Sequence, residues 1–138
     1  MIVVDTNVVA YLLIPGEHTD VARAVFARDP VWAAPLLWRS ELRNVLALYL
    51  RRGDMDIVHA TMVQALVEEC FLGREHVMES AAVLELAKTS GRSAYDCEFV
   101  MVARVLRVPL VTFDRQLLRT FPETAVSASV FAAGSPGR

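Results

Sequence analysis

At 138 residues the chain has room for one domain. Hydrophobic residues make up 54% of it and mean hydropathy is +0.38, yet no stretch nears the roughly 18 uninterrupted apolar residues of a membrane span. A net charge of −2 excludes strong global attraction to nucleic acid. The N-terminus has no basic region and meets Asp5 at once, so it does not read as a signal peptide. The apolar surplus fits a buried parallel sheet plus a protein–protein interface. Cys70 and Cys97 belong to no Cys-x-x-Cys pattern and read as reduced thiols of a cytoplasmic protein. His18, His59 and His76 lack metal-ligand spacing, so zinc is not expected. Thirteen of the 14 basic residues are Arg, the better side chain for bidentate phosphate contacts. A bias in codon usage gives the same count.

In chain order, residues 2–5 read as a short buried strand. Residues 18–29 fit a helix with Val21, Ala22, Val25 and Phe26 on one face. Residues 31–34 read as a second strand closed by Pro35. A strong helix is expected over 37–52, with Leu42, Val45, Leu46 and Tyr49 as its apolar stripe and Gly53 as its stop. Residues 56–72 form another, with Ile57, Met62, Ala65, Leu66 and Glu69 at helical spacing. A weak strand at 76–78 and a helix at 79–89 follow. Ser93 opens a helix to about Arg107, with Tyr95, Phe99, Val102, Ala103 and Leu106 as its buried face. Residues 109–113 read as a strand, 115–120 as a short helix and 125–128 as a fifth strand. One domain over 1–131 and a flexible tail over 132–138 complete the reading.

Strands alternating with helices argue for a single α/β domain with a parallel sheet. One common doubly wound order sets strand 1 beside strand 4, with ligands outside their carboxyl ends. Asp5 ends strand 1 and Asp114 ends strand 4; Glu41 and Asp96 lie near helix starts, at the margins of core-facing stripes. Each has an ordinary explanation. Asp5 and Asp114 suit helix caps, Ser93-x-x-Asp96 has capping-box spacing, and Glu41 suits the positive end of its helix. The coincidence of all four with one crevice favours a site instead. Clustered carboxylates repel and call for a cation, and strand-end carboxylates are a means of holding Mg²⁺ for phosphodiester chemistry. Asn44 shares a face with Glu41. Glu98 lies roughly 200° around the helix from Asp96 and is left outside the site. Glu68, Glu69, Glu75, Glu79 and Glu85 have no strand-end context and read as surface charge.

Asp5-Thr6-Asn7 after the first strand, Glu41 with Asn44, Ser93-x-Tyr95-Asp96, and Thr112-x-Asp114 with Leu117 together resemble the PIN domain, in particular VapC-type toxins of toxin–antitoxin pairs. The resemblance runs from Ile2 to about Phe131. It implies an Mg²⁺- or Mn²⁺-dependent endoribonuclease whose acids stand at positions 5, 41, 96 and 114. It also implies RNA as substrate, a cognate antitoxin and a homodimer. On that reading Thr6, Asn7, Asn44, Ser93 and Thr112 orient the carboxylates. Arg39, Arg43, Arg92 and Arg115 flank them as candidate phosphate contacts, against the alternative of solvated surface. Hydrolysis by water should leave 5′-phosphate and 3′-hydroxyl ends. The helices at 18–29, 37–52 and 56–72, with Trp38 and Tyr49, are the expected interface.

Other readings fit less well. A dehalogenase-type phosphatase needs Asp-x-Asp where this chain has Asp5-Thr6-Asn7. A receiver domain needs a Lys after a late strand, and the single Lys is Lys88 within a helix. No glycine-rich phosphate loop is present. The alternative from another class is a non-catalytic module that binds RNA or protein through the same fold.

Overall fold

The computed structural model describes residues 1–134. Five short strands form one parallel sheet: β1 (Ile2–Val4), β2 (Trp32–Pro35), β3 (Glu75–His76), β4 (Leu110–Thr112) and β5 (Ala125–Ser127), in spatial order β3-β2-β1-β4-β5. Every residue of β1, β2 and β4 is buried. These strands are therefore nearly continuous apolar runs, as expected of a parallel sheet covered by helices. The expected pairing of the first strand with the fourth holds, with Val3 opposite Leu110 and Val4 opposite Val111.

Eight helices surround the sheet: α1 (Thr6–Leu13), α2 (Thr19–Arg28), α3 (Trp38–Arg52), α4 (Ile57–Cys70), α5 (Ser80–Ser90), α6 (Ala94–Leu106), α7 (Arg115–Thr120) and α8 (Ala128–Ala133). The expected stop at Gly53 is real: it takes φ 78°, a left-handed conformation that costs glycine little, and its N–H caps the Tyr49 and Leu50 carbonyls. No described helix is long and apolar enough to cross a membrane. Cys70 and Cys97 are free thiols.

Four expectations about faces and ends fail. The stripe read on α4 points outward: Ile57, Met62 and Leu66 are exposed, and Ala60, Val63 and Val67 face the core. Tyr95 lies on an exposed face of α6, with 63% of its surface accessible. Trp38 is no interface residue. It is fully buried and stacks on Phe71 at 4.8 Å between ring centroids. Ala132 and Ala133 close α8, which leads into the left-handed Gly134; the rest of the expected tail, 135–138, lies outside the described residues. Between β1 and α2, an eight-residue helix, α1, follows the Asp5 cap before Pro15.

Candidate active site

Parallel strands point their carboxyl ends the same way, so Asp5 and Asp114 leave β1 and β4 on one edge of the sheet. Both cap a helix, as the cap reading required. Asp5 Oδ1 accepts from the Thr6 N–H at 2.8 Å, and Asp114 Oδ1 accepts from Gln116 and Leu117 at 2.8 and 3.2 Å. Capping does not exhaust them. Asp5 Oδ2 also accepts from Thr112 Oγ1 at 2.7 Å and from Asn7 Nδ2 at 3.2 Å. The Thr112 hydroxyl is wholly buried and in turn accepts from the Asp114 N–H at 2.9 Å. One threonine thus joins the two strand-end acids.

Glu41 enters from the first turn of α3, where Thr6 Oγ1 donates to it at 2.7 Å. Asp96 sits in the first turn of α6. Ser93 accepts from the Asp96 N–H at 3.1 Å, but the Asp96 carboxylate does not return to the Ser93 N–H to complete a box. It turns to Arg92, whose Nη2 and Nε reach Oδ2 at 2.7 and 3.2 Å, while Arg92 Nη1 reaches Gln116 on α7 at 2.7 Å.

The electrostatics record who is near whom. Burial pushes the Asp5 carboxyl up from 3.8 to about 6, and the charges of Glu41 and Asp96 push the same way, against the Thr112 and Thr6 hydrogen bonds. Burial also raises Glu41, with Asp96 and Glu98 adding repulsion against its bond from Thr6. Asp5, Glu41 and Asp96 therefore share one field. Asp114 meets it through Thr112. Among the described residues no three acids, histidines or cysteines form a ready-made cation cage. The donor set is nevertheless all carboxylate oxygen, hard and under-compensated, which suits a hard divalent cation better than zinc or copper.

Several expected groups lie elsewhere. Asn44 is exposed on α3 and makes no side-chain hydrogen bond among the described residues. Arg39 pairs with both oxygens of Glu75, at 2.6 and 2.7 Å, and with Glu68 at 3.0 Å, so it is not free for phosphate. Glu68 and Glu75 are accordingly structural partners, not loose surface charge. Arg43 lines a groove between α3 and α4 with Thr61, Gln64 and Glu68. Arg92 is engaged as above. Arg115 is exposed beside Asp114, without a side-chain partner among the described residues. Glu98, excluded on helical angle, is near enough to Glu41 to raise it.

A family model of the PIN domain matches residues 2–121. The chain belongs to the PIN-domain family. It is also 31% identical over 126 residues to Ribonuclease VapC3 of Pyrobaculum aerophilum, covering 88% of this chain and 95% of that protein. The crystal structure of PAE2754 from Pyrobaculum aerophilum superposes with a TM-score of 0.74 at 25% identity, covering 96% of this chain and 93% of that one. These place the chain among VapC-type PIN domains, and its five-stranded parallel sheet is the PIN-like α/β fold.

Proposed function

We propose that this PIN domain is a metal-dependent endoribonuclease, the toxin of a toxin–antitoxin pair. The observation that carries the reading is the shared field of Asp5, Glu41 and Asp96 at the carboxyl edge of β1 and β4, held by threonine donors and short of positive charge. The similarity to Ribonuclease VapC3 supports the substrate class. Asp5, Glu41, Asp96 and Asp114 would hold Mg²⁺ or Mn²⁺. When bound, such an ion supplies Lewis-acid polarisation of a phosphoryl oxygen and lowers the pKa of a water. The chain's own part is orientation. Thr112 and Asn7 fix Asp5, Thr6 fixes Glu41, and Ser93 sets the helix start that carries Asp96. Arg115, exposed beside Asp114, would meet a flanking phosphate, and Arg92 would do so once it leaves Asp96.

For partners, the reading takes a cognate antitoxin and a homodimer. Ile57, Val58, Met62 and Leu66 on α4 are all exposed, an apolar surface open to a partner. The test is cleavage of single-stranded RNA with end-mapping. Wild type should cut in Mg²⁺ or Mn²⁺, stop in EDTA, and leave 5′-phosphate ends; Asp5→Asn should lose at least about a hundredfold in rate. Cleavage that survives EDTA and leaves 2′,3′-cyclic phosphate would move the chemistry to His76 and Glu98. RNA binding without any cleavage would favour a non-catalytic module.

A further inference from the structure

Beside the four acids lies a groove of about 330 Å³, lined by Leu36, Leu37, Ser40, His76, Val77 and Glu98. Its position follows from the topology. β2 and β3 run parallel to β1, with Pro35 opposite His76, so the residues that follow them emerge on the same carboxyl edge as Asp5. The Leu36 N–H donates to the His76 carbonyl at 2.9 Å and closes the groove floor. Ser40 precedes Glu41 directly, and Glu98 lies within electrostatic reach of Glu41. The groove therefore adjoins the acidic edge at Glu41.

Glu98 differs from the other half-buried acids around it. Asp5 accepts from three donors, Glu41 from Thr6, Asp96 from Arg92, and Glu75 from Arg39 and Trp38. Glu98 is half-buried and makes no hydrogen bond or ion pair among the described residues. A half-buried carboxylate without donors keeps unused acceptor capacity. The walls around it are apolar and open: Leu36 and Val77 are both exposed. His76 brings an imidazole to the same groove, and Tyr95, three residues before Glu98 and so close to it on α6, presents an exposed ring. Flat apolar and aromatic surfaces with one acceptor at the edge suit an unstacked nucleobase. A phosphate is disfavoured there by the carboxylate charge.

We propose that this groove is a nucleobase subsite, in which Glu98 accepts hydrogen bonds from the Watson–Crick edge of an unpaired guanine in the RNA strand. It rests on the ribonuclease reading above and adds which base flanks the cut. Guanine offers two adjacent N–H donors, at N1 and N2, which match the two oxygens of a carboxylate. Adenine and cytosine offer a single amino group beside an acceptor that would face the carboxylate, and uracil a single imino N–H between carbonyls. The carboxylate can only accept, so guanine is preferred.

The test measures binding and cutting separately. Fluorescence anisotropy with short phosphorothioate-linked RNAs that differ at one base should give about tenfold tighter binding for the guanine-containing strand. Glu98→Gln should abolish that preference, and His76→Ala should weaken binding of all four strands. End-mapping on a random single-stranded RNA should show guanine enriched beside the cut for wild type and not for Glu98→Gln. Guanine-selective binding that depends on Glu98, without cleavage, would uphold the subsite and overturn the ribonuclease. Cleavage with the same base preference in wild type and Glu98→Gln would overturn the subsite alone. Weakened Mn²⁺ binding in Glu98→Gln with unchanged base preference would make Glu98 a metal-holding group and overturn the subsite as well.

Discussion

Arg39 and Glu41 stand two residues apart in the first turn of α3, yet the charges around them are arranged in opposite ways. Arg39 is met by Glu75 and Glu68, and Glu75 also accepts from the buried Trp38 indole at 2.9 Å. In that cluster both carboxylates meet the one guanidinium, and it is tied to the core through a tryptophan. The Arg39 guanidinium holds the Glu75 carboxyl below the usual range. Around Glu41 the neighbours are Asp5, Asp96 and Glu98, and both Glu41 and Asp5 are pushed upward. Among the described residues, Arg92 is the one cation in an ion pair with these acids, and it reaches Asp96. The first cluster is complete and serves folding; the second is incomplete and gains from an added cation. Charge density alone does not mark a site, whereas charge left uncompensated in a half-buried place does.

The contrast can be broken from the complete side. Glu75→Ala strips Arg39 and the Trp38 indole of their shared acceptor, and should cost about 3 kcal/mol by urea denaturation in EDTA. It should leave Mn²⁺ affinity unchanged. A loss of metal binding in that variant would join the two clusters into one.

On the proposed function, the incomplete side should answer to metal. Mn²⁺ at a hundredfold excess over its Kd should stabilise wild type and Glu75→Ala by about 2.7 kcal/mol. Asp5→Asn should show almost no such gain in differential scanning calorimetry. A gain equal to that of wild type would remove Asp5 from the metal.

The pH response is smaller. Asp5 ionises near 6 in the folded chain, against 3.8 for an ordinary aspartate. Its protonated form is favoured by folding, so its contribution is full below about pH 4 and is lost as pH rises through about 6. Glu41 is shifted the same way. In EDTA the protein should therefore lose on the order of 2 kcal/mol across that window, and Asp5→Asn should flatten the curve. A flat profile for wild type would mean that the acids are compensated after all.

Smallest is the cap. Ser93→Ala should cost about 1 kcal/mol through the lost bond to the Asp96 N–H, with Mn²⁺ affinity reduced no more than a few fold. A total loss of metal binding would make Ser93 a part of the site.

The strands and most helix starts are legible because they depend on short-range pattern, whereas α1 and α8 are not read. Alternation of strands and helices points to a parallel sheet, and one common winding sets strand 1 beside strand 4, the pairing that brings Asp5 and Asp114 to one edge; the full order is visible only in the folded chain. Faces were harder. α4 carries two apolar stripes, Ile57-Met62-Leu66 and Ala60-Val63-Val67, and periodicity does not say which one is buried. Small Ala and Val fit against α3, and the larger side chains stay outside. Arg39 looked like a phosphate contact because its partners are 29 and 36 positions away. Glu98 was dropped on angular distance from Asp96. The groove, however, opens between α6 and the ends of β2 and β3, and only the folded chain places that gap.

The Thr112–Asp5 bond spans 107 positions of sequence. At the usual pace of translation, roughly 5–20 s separate the emergence of its two ends. β1 leaves the ribosome well before β4 and has no partner on that side until Leu110 follows. A nascent chain therefore carries Asp5 and Glu41 with neither Thr112 nor Asp114 to complete the edge. The acidic edge is therefore assembled only after the whole stretch from Ile2 to Asp114 has been made.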